Sequence, residues 1–248
     1  MRKKKTKTLI SRGDIFFVLF MLAVIAAIGT WFQKPKMVME VKTGYTTIPG
    51  EIIHGDKTKK EVIFTFDGGS GTQSGKKILS TLAKYHVKGS FFITGKMIEQ
   101  YPSFVKSIVA AGHEIFNHTY DHEDLTTLSD VKIAEEFKKM GDLLYGLVGV
   151  YPKPYFRAPY GARDAQVLAS AAKSGYRSVY WTVDALDWQE QAGETDASVR
   201  DRILYMLAPG NIYLMHIGDN ITGDILDSVF NTIESRGYKI VSLSEGLR

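Results

Sequence analysis

Glu61-Val-Ile-Phe-Thr-Phe66, followed directly by Asp67, is the most strand-like stretch of the sequence. It is apolar or β-branched at nearly every position and ends at a pair of glycines, which is typical of a strand buried on both faces. Beyond it, apolar residues recur with the helical period of about 3.6 residues, at Ile78, Leu79 and Leu82. The folded part of the chain therefore begins with a buried strand and an amphipathic helix.

Strands and helices then alternate to the end of the chain. Further strands are predicted at Ser90–Thr94, Glu114–Phe116, Tyr155–Arg157, Ser178–Thr182, Asn211–Met215 and Lys239–Ser242, and helices around residues 104–109, 131–145, 164–174, 197–207 and 225–235. Strands separated by single helices favour right-handed crossovers and a mostly parallel sheet. The fold class is α/β, and the pattern alone fits either an open doubly wound sheet or a (β/α) barrel.

Chemically capable residues stand at or just past the carboxyl ends of the predicted strands. They are Asp67, His118, Arg157, Asp187 and His216. In a (β/α) barrel these ends converge on one mouth, where active sites are built. The placement therefore favours a barrel with a site at that mouth.

Each of these signals is modest when taken alone. His118 and His122 are four residues apart, and on a helical turn this spacing points both imidazoles the same way, as chelation of a divalent ion requires. Two unrelated surface histidines are the simpler interpretation of the pair. Asp67 fits a helix N-cap or turn equally well, His216 fits a hydrogen-bonded core histidine, and Asp187 fits an ordinary loop.

The N-terminus has the composition of a membrane anchor. Residues 15–32 are uncharged and are preceded by a strongly basic segment at 1–14. The length is close to the short end of what a spanning helix needs, and the basic flank predicts a cytoplasmic N-terminus. We expect a single-pass anchor in the cell membrane, a linker at 33–60 and an extracytoplasmic domain at 61–248. A cleaved signal peptide is the alternative.

Composition excludes several classes of protein. The chain has no cysteine, so disulfide frameworks, thiolate metal sites and cysteine nucleophiles are ruled out. Residues 1–36 hold eight of the 31 Lys and Arg and one of the 27 acidic residues, which leaves 23 basic and 26 acidic residues beyond them. Because the remainder is mildly acidic, no nucleic-acid partner is expected.

Five short motifs resemble those of a known family. They are Thr65-Phe66-Asp67, His118-x3-His122, Arg157-Ala-Pro-Tyr-Gly161, Asp184-Ala-Leu-Asp-Trp188 and Leu214-Met-His216. In this order they look like the motifs of the polysaccharide deacetylase family, the NodB-like carbohydrate esterase family 4. The resemblance covers roughly residues 61–244 and implies a distorted (β/α)7 barrel that removes N-acetyl groups from sugar polymers.

The resemblance also implies the cofactor and the roles of the central residues. A divalent metal, Zn²⁺ in preference to Co²⁺, Ni²⁺ or Mn²⁺, would be bound by His118 and His122. Asp67 would be the general base that activates the attacking water. His216 would be the general acid that protonates the leaving amine, with its pKa raised by Asp187. An imidazole supported by a carboxylate is well suited to that task.

Three further residues receive supporting roles from the resemblance. Arg157 would orient Asp67, the backbone N–H of Tyr160 would stabilise the oxyanion, and Trp188 would form a wall of the acetyl pocket. The expected substrate is a cell-wall or extracellular N-acetylhexosamine polymer near the membrane, with peptidoglycan favoured over chitin-like oligomers and exopolysaccharide. Removal of O-acetyl groups is a further activity that the same site could support.

One position departs from the family pattern. The family carries two adjacent aspartates in the first motif, the second of them a metal ligand, whereas this chain has Gly68 there. Two histidines could hold the ion more weakly, or an oxygen of Ser70 or Asp121 could replace the missing carboxylate. Retained activity is expected because the other motif residues are present. A catalytically impaired, glycan-binding scaffold domain is the alternative.

Overall fold

Strand β1 spans Glu61–Gly68 and lies in the interior of the sheet. The computed structural model describes residues 50–69 and 71–248. The predicted segments at 1–14 and 15–32, linker residues 33–49 and Ser70 lie outside the described residues. Along the part of the chain that is described, no helix combines the length and the apolar character that a membrane crossing requires.

All the strand pairings of the sheet are parallel. After β1 come β2 Ser90–Ile93, β3 Glu114–Asn117, β4 Tyr155–Phe156, β5 Arg177–Ser178, β6 Val183–Asp184, β7 Ile212–His216 and β8 Lys239–Val241. The order across the sheet is β5-β4-β3-β2-β1-β7-β6, and β8 pairs with β1 off this path. The architecture is an α/β half-barrel of parallel strands, consistent with the expected barrel class.

Helices connect most of the strands, as the alternating pattern predicts. They are α1 Gly75–Lys84, α2 Gly95–Gln100, α3 Pro102–Ala110, α4 Asp130–Val148, α5 Ala165–Lys173, α6 Asp196–Tyr205, α7 Ile221–Ser235 and α8 Leu243–Gly246. Local sequence explains their ends: the Ser129 hydroxyl caps α4 by accepting from the N–H of Lys132, and Gly149 ends it in the left-handed conformation at φ 73°.

The predicted strand at Ser178–Thr182 is wrong, because this run leaves one edge of the sheet and reaches the other. Strand β5 ends at Ser178, and β6 begins at Val183 at the opposite end of the strand order. Five residue steps span at most about 18 Å, so the two edges must curl towards each other. The apolar pattern of the run does not distinguish one strand from such a crossing.

The pleat of β1 separates two apolar layers. Val62, Phe64 and Phe66 pack with the helices in one large cluster. Ile63 belongs to a second cluster inside the half-barrel, which also contains Phe92. Because successive side chains of a strand point to opposite faces, Asp67 follows Ile63 towards the interior.

Ile52 pairs with the run that crosses between the two edges of the sheet. Its N–H donates to the carbonyl of Ser178, and its carbonyl accepts from the N–H of Tyr180, at 2.9 and 2.7 Å. Its side chain is only 4% exposed and belongs to the interior cluster. Residues 51–56, which fall in the predicted linker at 33–60, therefore pack on the domain.

Truncation of this contact tests the packing. Ile52→Ala is expected to lower the free energy of unfolding by about 2–5 kcal/mol, because it leaves a cavity in the interior cluster. The matched control is Val131→Ala on an exposed face of α4, for which a change of less than about 0.5 kcal/mol is expected. Both are measured by urea denaturation, and equal effects would contradict the role of Ile52.

Candidate active site

Asp67 and His216 stand side by side at the carboxyl ends of neighbouring strands. In the register of β1 with β7 they are direct partners, and Asp67 also pairs with Phe92 of β2. Both polar side chains line a cavity of 460 Å³. The sheet therefore brings the expected base and the expected acid to one opening, although they are far apart in sequence.

Arg157 holds Asp67 in place. Its Nη1 donates to Asp67 Oδ1 at 2.6 Å and to Thr65 Oγ1 at 2.9 Å. Its Nε and Nη2 donate to the carbonyls of Val179 and Tyr180, both at 3.2 Å. The guanidinium is only 1% exposed and lies 4.2 Å from the centroid of the Phe92 ring. Such a buried, charge-assisted pair leaves Asp67 Oδ2 as the oxygen that faces the cavity.

The two histidines of the predicted pair come together. His118 Nδ1 is 2.9 Å from the carbonyl oxygen of Arg157, and because a carbonyl only accepts, this nitrogen carries the proton. Its Nε2 is left with a free electron pair 3.6 Å from Asp67 Oδ2. The ring centroid of His122 lies 4.9 Å away. Burial lowers the pKa of His118, and burial with the neighbouring His118 lowers the pKa of His122 to about 4.

The two histidines do not lie on a helical turn, the geometry in which their spacing would point both rings the same way. Residues 118–122 form an irregular loop in which Thr119 and His122 adopt left-handed conformations at φ 66° and 63°. The Asn117 amide oxygen accepts from the N–H of Thr119, and Thr119 Oγ1 accepts from the N–H of His122. Side-chain hydrogen bonds to backbone compete with helix formation in this way.

Glu136 on α4 accepts hydrogen bonds from the backbone of the same loop. Its Oε2 accepts from the backbone N–H groups of Tyr120 and Asp121, at 2.9 and 2.8 Å. Sequence reasoning missed this residue, because it lies on a helix among other charged residues and no motif singles it out. The carboxylate connects α4 to the loop that carries both histidines.

Asp187 accepts hydrogen bonds from both the side chain and the backbone of His216. His216 Nδ1 and its backbone N–H donate to the two oxygens of Asp187 at 2.9 and 2.6 Å. Burial disfavours the charged imidazole, but the charge and hydrogen bond of Asp187, with Asp67 and Asp184, outweigh it and raise the pKa of His216 to about 9. At neutral pH His216 is therefore protonated and able to donate from Nε2.

A second buried carboxyl group lies behind this pair and was also missed. The N–H of Thr222 donates to Asp219 Oδ1 at 2.8 Å, while Thr222 Oγ1 donates to Asp187. Burial and the negative charge of Asp187 raise the pKa of Asp219 to about 7. The signal that could have identified Asp219 in the sequence was its position three residues after His216, but this segment belongs to none of the five motifs.

Aromatic residues flank the cavity. Tyr160 and Trp188 line it and are 73% and 53% exposed, while Trp181 lines it and is buried. Tyr160 is held at φ 58° in a short turn, and such left-handed conformations of non-glycine residues cost about 1–3 kcal/mol and cluster at functional sites. Two exposed rings beside a cleft offer flat apolar faces to a bound molecule.

Among the described residues around the cavity, the two histidines are the side chains suited to bind a metal ion. Both imidazoles are neutral at neutral pH, the form that ligates divalent ions. Among the residues that the structure describes, no group of three or more His, Cys, Asp or Glu side chains could hold a metal ion. Asp121 pairs with Lys96 at 2.6 Å and does not line the cavity, and Ser70 is outside the described residues. No described carboxylate replaces the one missing at Gly68.

Comparisons with known proteins agree on one family. The family model described as polysaccharide deacetylase matches residues 54–179. The peptidoglycan-N-acetylmuramic acid deacetylase PdaA of Bacillus subtilis is 30% identical over 77% of this chain and 73% of its own length. The peptidoglycan-N-acetylglucosamine deacetylase of Bacillus cereus is 33% identical over 76% of this chain and 69% of its own length.

A solved structure adds a different kind of relative. The crystal structure of a CE4 family pseudoenzyme from Bacillus anthracis matches with a TM-score of 0.76 and 29% identity, over 82% of this chain and 70% of that one. A mutant of that pseudoenzyme with restored enzymatic activity matches equally well, at 30% identity and a TM-score of 0.76, over 82% of this chain and 72% of that one. The same fold therefore occurs in proteins with and without activity.

The support of His216 by Asp187 is testable by titration. In Asp187→Asn the pKa of His216 is expected to fall from about 9 towards or below its ordinary value of 6.5, because burial is then no longer outweighed. The measurement is NMR titration of the imidazole signals. Asp184→Asn is the control and should lower this pKa by less, and equal shifts in the two variants would contradict the pairing.

The role of Glu136 is testable by hydrogen exchange. Glu136→Ala should speed the exchange of the Tyr120 and Asp121 amides about 10–100-fold, because each loses a charged acceptor. Glu135→Ala is the matched control, since its neighbouring carboxylate pairs with the exposed Lys132 instead. Unchanged exchange in Glu136→Ala would show that the loop is held by other contacts.

Proposed function

This chain belongs to the polysaccharide deacetylase family, and from that premise we propose that it hydrolyses N-acetyl groups of a cell-wall or extracellular N-acetylhexosamine polymer. The observation that carries the proposal is the pair of supported side chains at one opening. Asp67 is fixed by Arg157, and His216 is protonated through Asp187. A domain that only binds glycan has no use for a base and an acid placed next to each other.

The first half of the reaction needs a base and an oxyanion site. Asp67 Oδ2, which faces the cavity, takes a proton from water as the water oxygen attacks the acetyl carbonyl carbon. The backbone N–H of Tyr160 donates to the oxygen that becomes negatively charged. Donors of this kind contribute about 3–4 kcal/mol each to related acyl transfers. Arg157 keeps the carboxylate oriented throughout.

The second half needs an acid. An amine is a poor leaving group unless it is protonated as the carbon–nitrogen bond breaks. His216 Nε2 donates this proton, and Asp187 stabilises the imidazolium from which it comes. The products are acetate and the free amino sugar. Trp188 forms the wall against which the acetyl methyl group packs.

His118 and His122 are the residues that would hold a divalent metal, with Zn²⁺ favoured over Co²⁺, Ni²⁺ or Mn²⁺. Such an ion, when bound, polarises the acetyl carbonyl and makes the attacking water more acidic. The two imidazoles supply neutral donors, and without a carboxylate at Gly68 weaker retention of the ion is expected than in a three-ligand site.

Peptidoglycan is the proposed substrate. The two curated relatives described above are named for its two N-acetyl sugars. We further propose that the uncharged segment at 15–32 anchors the chain in the cell membrane with the domain outside, because its flank is strongly basic. Such an anchor would keep the domain close to the wall.

Glycan binding without turnover is the second candidate. Gly68 favours it, because the site then lacks the third metal ligand of the family, and a structural relative is described as a pseudoenzyme. The two candidates differ in one measurable respect, which is whether acetate is released. Arg157, Asp187 and His216 could also stabilise the fold of a domain that only binds glycan. Their presence alone therefore does not favour hydrolysis, whereas their arrangement around Asp67 does.

Acetate release by the purified full-length chain tests the proposal. Peptidoglycan and N-acetylglucosamine oligomers are supplied with added Zn²⁺, Co²⁺, Ni²⁺ or Mn²⁺. Asp67→Asn and His216→Ala are each expected to lower kcat/KM by about 10²–10⁴-fold, because each removes one proton-transfer group. The control is Asp227→Asn, which removes an exposed carboxylate paired with Lys84.

Three outcomes separate the alternatives. Metal-dependent acetate release that both site variants lose supports the deacetylase. Binding of the oligomers without acetate release supports the scaffold domain. Release from O-acetylated but not N-acetylated sugars assigns the site to ester hydrolysis instead.

A further inference from the structure

Gly68 lines the cavity, but a side chain at this position would start on the opposite face of β1 from Asp67. It continues the row of Val62, Phe64 and Phe66, whose side chains point into the helix layer. A Cβ atom built at Gly68 would overlap Met97 Sδ and would lie 2.7 Å from Ile217 Cδ1 and 3.1 Å from Met97 Cε. The space in which a side chain would start is therefore filled by core atoms.

The two residues that fill this space are firmly placed. Met97 and Ile217 are both 0% exposed and belong to the large cluster between sheet and helices. The N–H of Met97 donates to Thr94 Oγ1 at 3.1 Å at the start of α2, and the N–H of Ile217 donates to the carbonyl of Asp67 at 2.9 Å. The contacting atoms are the ends of these two side chains, so a residue at position 68 requires Met97 and Ile217 to shift within a close-packed core.

Gly69 shows that the crowding is specific to one position. The nearest atoms to a Cβ atom at Gly69 would be Thr94 Cγ2 at 3.4 Å, His122 Cδ2 at 3.8 Å and Thr94 Oγ1 at 3.8 Å, which are ordinary contacts. Neither glycine has the positive φ that disfavours a side chain. A positive φ therefore does not account for the difference between the two glycines, which lies in their packing.

We propose that Met97, together with Ile217, determines that the metal site of this chain has no carboxylate at position 68. Core atoms occupy the volume that a side chain at position 68 needs, so packing maintains a donor set of two histidines. An acidic ligand at position 68 is accommodated with less displacement of the core when Met97 is shortened. The packing part of this proposal is independent of the proposed function, whereas the metal part rests on the proposed function.

A stability cycle tests the packing part. It is measured on the full-length chain in a chelator, with no metal and no substrate. Gly68→Ala should lower Tm by about 3–8 °C, because overpacking of a core costs about 1–3 kcal/mol, and Gly69→Ala should stay within about 2 °C of the parent. The double variant of Gly68→Ala with Met97→Ala should lose less than the sum of the two single variants. Additive losses, or equal losses for the two glycine variants, would overturn it.

Metal affinity tests the ligand part. The dissociation constant for Zn²⁺ is measured by calorimetry for the parent, Gly68→Asp, Met97→Ala and the double variant. The double variant should bind at least about 10-fold more tightly than Gly68→Asp alone, since restoring a coordination partner acts on at least the scale of second-shell changes. Equal affinity of Gly68→Asp and the double variant would overturn the role of Met97.

The two experiments also separate this inference from the proposed function. A chain that releases no acetate but shows the non-additive stability cycle disproves hydrolysis and keeps the packing inference. A chain that releases acetate but whose glycine variants are equally stable keeps hydrolysis and disproves the inference.

Discussion

The buried ion pair between Arg157 and Asp67 is the interaction on which the rest of the site depends. The guanidinium bonds two residues of β1 and two carbonyls of the crossing at 179–182, and the carbonyl of Arg157 accepts from His118. One residue thereby connects Asp67, the crossing at 179–182 and His118. Loss of one partner of such a pair leaves an uncompensated buried charge, at a cost of about 3–5 kcal/mol.

The pleat of β1 gives neighbouring residues different surroundings. Asp67 points into the half-barrel, where polar groups from several strands meet, and Gly68 points to the helix layer, where Met97 and Ile217 pack. A side chain at position 67 therefore contacts the polar groups of the cavity, whereas a side chain at position 68 must first be accommodated by the core.

Much of the fold and the site could be predicted from the sequence, because both follow local patterns. The period of apolar residues predicted the alternation of helices and strands, and the polar residues at strand ends predicted which side chains meet. The conformation of residues 118–122 was not predictable from the spacing of two histidines, since hydrogen bonds from Asn117 and Glu136 determine it. Glu136 and Asp219 act through contacts with residues distant in sequence or outside any motif.

Local patterns in the sequence were enough to predict the α/β class, the family and the candidate proton-transfer residues. Strand and helix periodicity and ordered motifs are properties of short segments, so they are visible without coordinates. The detailed surroundings of these residues depend on tertiary packing: the loop at 118–122 held by Glu136, the buried Asp219 behind Asp187, and the filling of the space at Gly68 by Met97. The physical reason is that burial, electrostatic pairing and close packing arise between segments that are far apart along the chain.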